Sequence, residues 1–324
     1  MQARSLKDSI MKRGLLIITI AMFIFCCVYN SAFLSKMNIT GLLIEISYMT
    51  FLAIGMSFVI LTGGIDLSVA ANAGLSTVII AYTMKQFQGA GMSEGAAIAL
   101  AVVLALVVSA LIGLLNGALV AYVKLPPLVV TLAVTWIATG IANRLVKGAP
   151  ISIKIKVFRK VLMYSIADWV PVMFLVTIIL LFLFSYILGK LRFGRETYAT
   201  GSSYYAAFVS GIKVKRVLLR SYVICGLFAG LAGIMISANL SSGYAAAATD
   251  YEIYTIAAVV MGGIALTGGE GKLWNVFVGV IFLRILKKIV VFTGLSNISG
   301  FIEGMIVGCI LVLVLFLNSL RKGD

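Results

Sequence analysis

The chain has 324 residues, 62% of them hydrophobic and 11% charged, and its 26 Lys and Arg against 11 Asp and Glu give a formal net charge of +15. Its apolar runs repeatedly reach the roughly 20 residues that cross about 30 Å of hydrocarbon as a helix, which excludes a soluble globular domain. No histidine is present, so imidazole bases, histidine metal ligands and histidine-containing triads are excluded, and no catalytic or metal site is assigned.

In lipid an apolar run satisfies its own amides only as a helix. The fold class expected is therefore an all-α polytopic membrane protein, one transmembrane domain over residues 1–324. In chain order the spans are expected at 14–34, 40–62, 67–85, 95–123, 128–146, 168–190, 217–239, 253–268, 273–293 and 299–318. The first run is longer than a signal-peptide core and no small-residue cleavage site follows it. Arg4, Lys7, Lys12 and Arg13 precede it, and the positive-inside rule then places the N-terminus in the cytoplasm; an even number of passes returns Arg321 and Lys322 to the same side. By the same count the polar stretch 192–216, RFGRETYATGSSYYAAFVSGIKVKR, is cytoplasmic. The loop 147–167 falls outside although it carries Lys154, Lys156, Arg159 and Lys160. The net charge is read as topology signals and anionic-lipid contacts, not as a nucleic-acid surface.

Cys26, Cys27, Cys225 and Cys309 all lie within expected spans without metal-ligand spacing and are read as buried free thiols. No phosphate loop is found: GGEGKL has Leu273 where a Mg-binding hydroxyl is needed. Acids for an ion relay are few, chiefly Glu45, Glu303 and the boundary residue Asp66. Energy input is accordingly expected from a separate subunit, with no cofactor in this chain.

Three stretches place glycine and polar residues where a lipid-facing helix needs neither: ILTGGIDLSVAANAG (60–74), GLLNGALVAYVKLPPLVVTL (113–132) and YEIYTIAAVVMGGIALTGGEG (251–271). Close helix packing through small residues accounts for many such glycines. Paired glycines at a span end also let the backbone unwind, and freed amides must then be buried in protein or line a cavity. Broken or short helices near a substrate path are expected here.

On these motifs, in this order, the chain resembles over nearly its whole length the permease subunits of bacterial ABC importers for ribose, xylose, galactose and related simple sugars. The resemblance implies a ten-helix permease in the cell inner membrane that moves a simple sugar or sugar-like solute by alternating access. It implies as partners ABC ATPase subunits, a second permease of the same or a different chain, and an extracytoplasmic solute-binding protein. A nucleoside or branched-chain amino acid carried by the same machinery remains open, as does a secondary transporter or channel without ATPases. In the family the central loop, of the form Gly-Gly-Asn-Glu-Glu-Ala-Ala-Arg-Leu-Ser-Gly-Ile, is a coupling helix that docks in the ATPase. The matching residues here are Gly201, Ala206, Ala207, Ser210, Gly211 and Ile212, while Ser203, Tyr205 and Phe208 replace Asn, Glu and Arg. Tyr205 and Phe208 are expected to fill the ATPase groove.

Asp66, Ser68, Asn72, Asn116, Thr131 and Thr135 are expected to line the path or its gates. Lys154, Lys156, Arg159 and Lys160 are expected to dock the binding protein or to meet anionic headgroups. Tyr254 stands where the family commonly has Asp, and Arg284, Lys287 and Lys288 stand where Gly and an Asn pair are expected. Their spacing puts all three cations on one helix face. Two readings are open: pairing of Arg284 or Lys288 with Glu303 while the lysines snorkel, or contact of Arg284 with an anionic sugar derivative.

Overall fold

A computed structural model describes residues 2–295 and 302–322, with side chains over 14–295 and 302–312. Thirteen helices are formed among the described residues: α1 Gln2–Tyr29, α2 Lys36–Leu61, α3 Val69–Gly89, α4 Glu94–Ala118, α5 Pro127–Val146, α6 Lys156–Leu162, α7 Val172–Lys190, α8 Arg192–Ser202, α9 Tyr204–Val209, α10 Val214–Leu240, α11 Tyr251–Met261, α12 Leu273–Phe292 and α13 Ile302–Lys322. Each expected span coincides with a helix over its described residues, 299–301 of the last lying outside them, and α6, α8 and α9 are the extra ones. The α2, α5, α7 and α10 helices, and α4 with its π-helical continuation to Val123, are long and apolar enough to cross a membrane by length and composition.

The core is a pair of buried helices. Every residue of α2 from Ile46 to Leu61 is buried, as a helix that is apolar all round requires. Beside it α10 packs on α2, α3 and α4. Close approach comes from small residues: a Cβ on Gly226 would strike the Ser109 carbonyl, and one on Gly113 would strike the Tyr222 carbonyl. The α4, α5 and α7 helices leave Val103, Trp136 and Ile179 exposed on the outside of the bundle, where hydrocarbon is the compatible solvent.

Two chain breaks set the interior. After α2 the chain unwinds over Thr62–Ser68, and α3 begins part-way along the bundle, with Asn72 level with Ser109 of α4. After α10 the chain turns back from the opposite end through a short pairing of Ile151–Ser152 with Ser242–Gly243. It passes Gly74 at Ala245 and starts α11 beside Tyr48, near the middle of α2. Both α3 and α11 thus have N-termini inside the bundle, reached from opposite ends. The expected span 253–268 is shorter as a helix because Gly262 and Gly263 end α11; Gly263, Gly268, Gly269 and Gly271 all take positive φ, where glycine alone avoids the Cβ clash.

Candidate functional site

The first break closes on its own polar groups. Ser68 donates its backbone N–H (2.9 Å) and its hydroxyl (2.6 Å) to Asp66 Oδ1. Asn116 on α4 donates to Ser68 Oγ at 2.7 Å and to Asp66 Oδ1 at 3.4 Å. Asn72 donates to the Ser109 carbonyl at 3.2 Å, and the Thr131 hydroxyl faces the Pro127 and Ile65 carbonyls at 2.9 and 3.3 Å. Thr135 bonds back to Thr131 O at 2.8 Å and is half-buried; the other five are buried. The sequence thus brings the expected path residues together as a wall that bonds largely to itself, with Asn72 Oδ1 and Asn116 Oδ1 buried and without a partner among the described residues.

At the end of the bundle that carries α8 and α9, both breaks meet the polar segment. The Leu61 carbonyl accepts from Gly269 N–H at 3.0 Å, and a Cβ on Gly201 would collide with that same carbonyl. Gly268 lies against Gly63 and Gly201, and Gly269 against Ser202. The Tyr198 hydroxyl donates to the Gly271 carbonyl at 2.8 Å, and burial pushes its pKa up. One turn of α8 therefore touches both loops that interrupt the bundle. A cavity of 430 Å³ opens beside this crossing between Gly63, Lys124, Pro126, Tyr204 and Tyr222.

The polar segment is two helices rather than one. Ser203 caps α9 by accepting from Ala206 N–H at 3.2 Å. Gly211, at φ +81°, ends it with bonds from Gly211 N–H to Phe208 O and from Ile212 N–H to Ala207 O, the paired pattern of a glycine-terminated helix. Ala207 is buried and Gly201 packs inward, so those two residues hold the segment to the bundle. Tyr204, Tyr205, Phe208 and Val209 are exposed, and Ala206, Ser210 and Gly211 share that exposure while Ile212 is half-buried.

At the opposite end Lys154, Lys156, Arg159 and Lys160 are all exposed. The last three line a cleft of 1020 Å³ together with Lys36 and Thr40 of α2. Arg159 donates to Ser241 Oγ at 3.1 Å, and Lys36 pairs with Asp168 at 2.8 Å.

Between the ends lies the cationic stripe of α12. Arg284, Lys287 and Lys288 stand 3.6, 3.8 and 3.7 Å from the carboxylate of Glu45 on α2. The shared face expected from their spacing is present, and the ion-pair partner is Glu45 rather than Glu303. Arg284 is 1% exposed, and its guanidinium carbon lies 5.4 and 6.0 Å from the ring centroids of Tyr254 and Tyr251.

The family model for branched-chain amino acid transport system / permease component matches residues 38–315. The chain belongs to this family. Among similar permeases, the ribose import permease protein RbsC of Bacillus subtilis (strain 168) is 35% identical over 305 residues, covering 92% of this chain and 90% of that protein. The L-arabinose transport system permease protein AraH of Escherichia coli (strain K12) is 31% identical over 314 residues, covering 95% and 90%. The ribose import permease protein RbsC of the same strain is 31% identical over 316 residues, covering 95% and 94%. No solved structure matches the chain.

For a permease of this family, the residues that sequence reasoning missed are those whose partners lie far away in the chain. Glu45 was visible only as an isolated acid in an apolar run, and Lys36 as a charge at a span edge. Tyr198, Tyr48 and Tyr251 looked like ordinary aromatic residues. A hydroxyl inside an apolar run was the one available signal, because a buried hydroxyl needs a partner.

Proposed function

We propose that this chain is the membrane-spanning permease subunit of an ATP-driven importer for a simple sugar or sugar-like solute. The similarity to ribose and L-arabinose permeases over more than nine-tenths of the chain supports a sugar over an amino acid as the cargo class. The observation that carries the mechanism is the crossing at Leu61, Gly201 and Gly269: the segment that faces the partner ATPase is packed on both breaks in the bundle. A push on α9 passes through α8 to the loops 62–68 and 262–271. These loops bear the helices α3 and α11, whose N-termini lie inside the bundle. Movement of both would open one end as the other closes.

In this reading N- and C-termini, α8 and α9 are cytoplasmic in the inner membrane, and a second permease completes the path. Tyr205 and Phe208 enter a groove of the ATPase, which binds and hydrolyses the ATP. Lys154, Lys156, Arg159 and Lys160 attract acidic groups on an extracytoplasmic binding protein, an effect that weakens as salt shortens the Debye length to about 8 Å.

The test is a single cysteine at Tyr205 in the assembled importer. It is expected to cross-link to the ATPase and to be labelled only from the cytoplasmic face. Labelling from the outside, or a Gly211→Trp variant that keeps ATP-coupled uptake, would contradict the coupling role.

A further inference from the structure

A neutral cargo gives no reason for the charge arrangement around Arg284. All three of its side-chain nitrogens are buried without a hydrogen-bond partner, and Glu45 Oε2 is in the same state. The distances of 3.6 to 3.8 Å from the three cations to Glu45 exceed the roughly 2.7–2.9 Å of a charge-assisted hydrogen bond. Glu45 offsets charge, then, without occupying the guanidinium's donors. Glu303 also acts on Arg284, but among the described residues the three cations share the one paired carboxylate of Glu45. Asp250 and Glu252, at the start of α11, form no ion pair with them among the described residues. A fork of five N–H donors beside two tyrosine rings, with a positive charge in excess, has the shape and sign of a carboxylate site.

A second observation is independent of that cluster. The cleft at the opposite end is lined by Lys36, Lys156, Arg159 and Lys160. Its wall on α2 runs through Thr40 and Ile44, and the next turn on that helix face is Tyr48. Tyr48 is stacked on Tyr251 at 5.7 Å, hydroxyl to hydroxyl 3.3 Å, and Tyr251 covers Arg284. The cleft wall and Tyr48 therefore share one face of α2, and the Tyr48–Tyr251 pair stands between that wall and Arg284 of α12.

We propose that Arg284, flanked by Tyr251 and Tyr254, receives the carboxylate of an acidic monosaccharide entering from the cation-lined cleft, so that the cargo class is a sugar acid. This rests on the importer reading above and narrows its substrate. The carboxylate would accept two hydrogen bonds from the guanidinium.

The test uses the full chain in lipid nanodiscs, titrated with D-galacturonate and with D-galactose at equal ionic strength while thermal unfolding is followed. A saturable rise in Tm with galacturonate and none with galactose is expected. Arg284→Gln should weaken the apparent affinity about tenfold or more, with Arg284→Lys between. No response of the wild type to the acid, or equal responses to both sugars, overturns the proposal. Should Arg284→Gln fail to fold, the Glu45→Gln/Arg284→Gln double variant removes both charges; an undiminished acid response there also overturns it. In vesicles holding the complete importer, ATP-driven uptake of galactose with neither uptake of galacturonate nor competition by it overturns the sugar-acid cargo and leaves the importer reading standing. Absence of ATP-driven uptake of any sugar removes the importer reading itself, and the cargo assignment with it.

Discussion

Two interior acids, Asp66 buried inside the first break and Glu45 half-buried on the helix before it, are handled in opposite ways. Asp66 is met by neutral donors at hydrogen-bond distance, from Ser68 and Asn116, and needs no cation. Glu45, on the preceding helix, is met by three cations, none within hydrogen-bond distance. A network whose short bonds are made inside the protein fixes one geometry. A cluster that balances charge over nearly 4 Å and leaves its donors unbonded holds its helices together loosely and keeps its directional valence for something else. The first arrangement suits a pivot, the second a place of contact.

Mutations sharpen that contrast, taken from the largest expected effect down. Glu45→Ala leaves the buried Arg284 without its ion-pair partner, and loss of one member of a buried ion pair costs about 3–5 kcal/mol; unfolding of the purified permease in nanodiscs should show a loss of that order. Asp66→Ala removes the acceptor of Ser68 and strands buried donors at about 1–3 kcal/mol, with α3 rather than α12 loosened as read by hydrogen exchange. If Asp66→Ala proves costlier than Glu45→Ala, the contrast between the two acids is wrong. Thr135→Ala loses only a bond to its own helix, at Thr131 O, and should change stability by less than about 1 kcal/mol. Lys36→Ala breaks an ion pair whose side chains are 51% and 76% exposed, so its effect on unfolding should be about 0–1 kcal/mol and vanish in high salt.

The spans were legible because apolar length dictates a helix in lipid, and the breaks because Gly63–Gly64 and Gly262–Gly263 interrupt that length. The glycine that ends α9, Gly211, acts just as locally, through its positive φ. The division of 192–216 into α8 and α9 was not, since short polar helices carry little periodic signal and the N-cap at Ser203 is one residue among several serines. Nor was the inward packing of Gly201, which depends on Leu61 and Gly269 arriving from distant parts of the chain. The partner of Arg284 shows the same limit. Helical spacing placed Arg284, Lys287 and Lys288 on one face, whereas the choice of Glu45 over Glu303 is made by the packing of α12 on α2.

The central claim is that this permease moves sugar only when ATP closure of a partner drives α9 and α8 against the two breaks. Its most direct measurement is uptake of labelled sugar, neutral and acidic, into vesicles holding this chain alone or the complete importer with its ATPase, second permease and binding protein. Uptake that requires ATP and every partner, and that is abolished by Gly201→Leu without loss of ATPase association, is the predicted result. Robust uptake driven by a proton or sodium gradient in vesicles holding this chain alone would contradict the account.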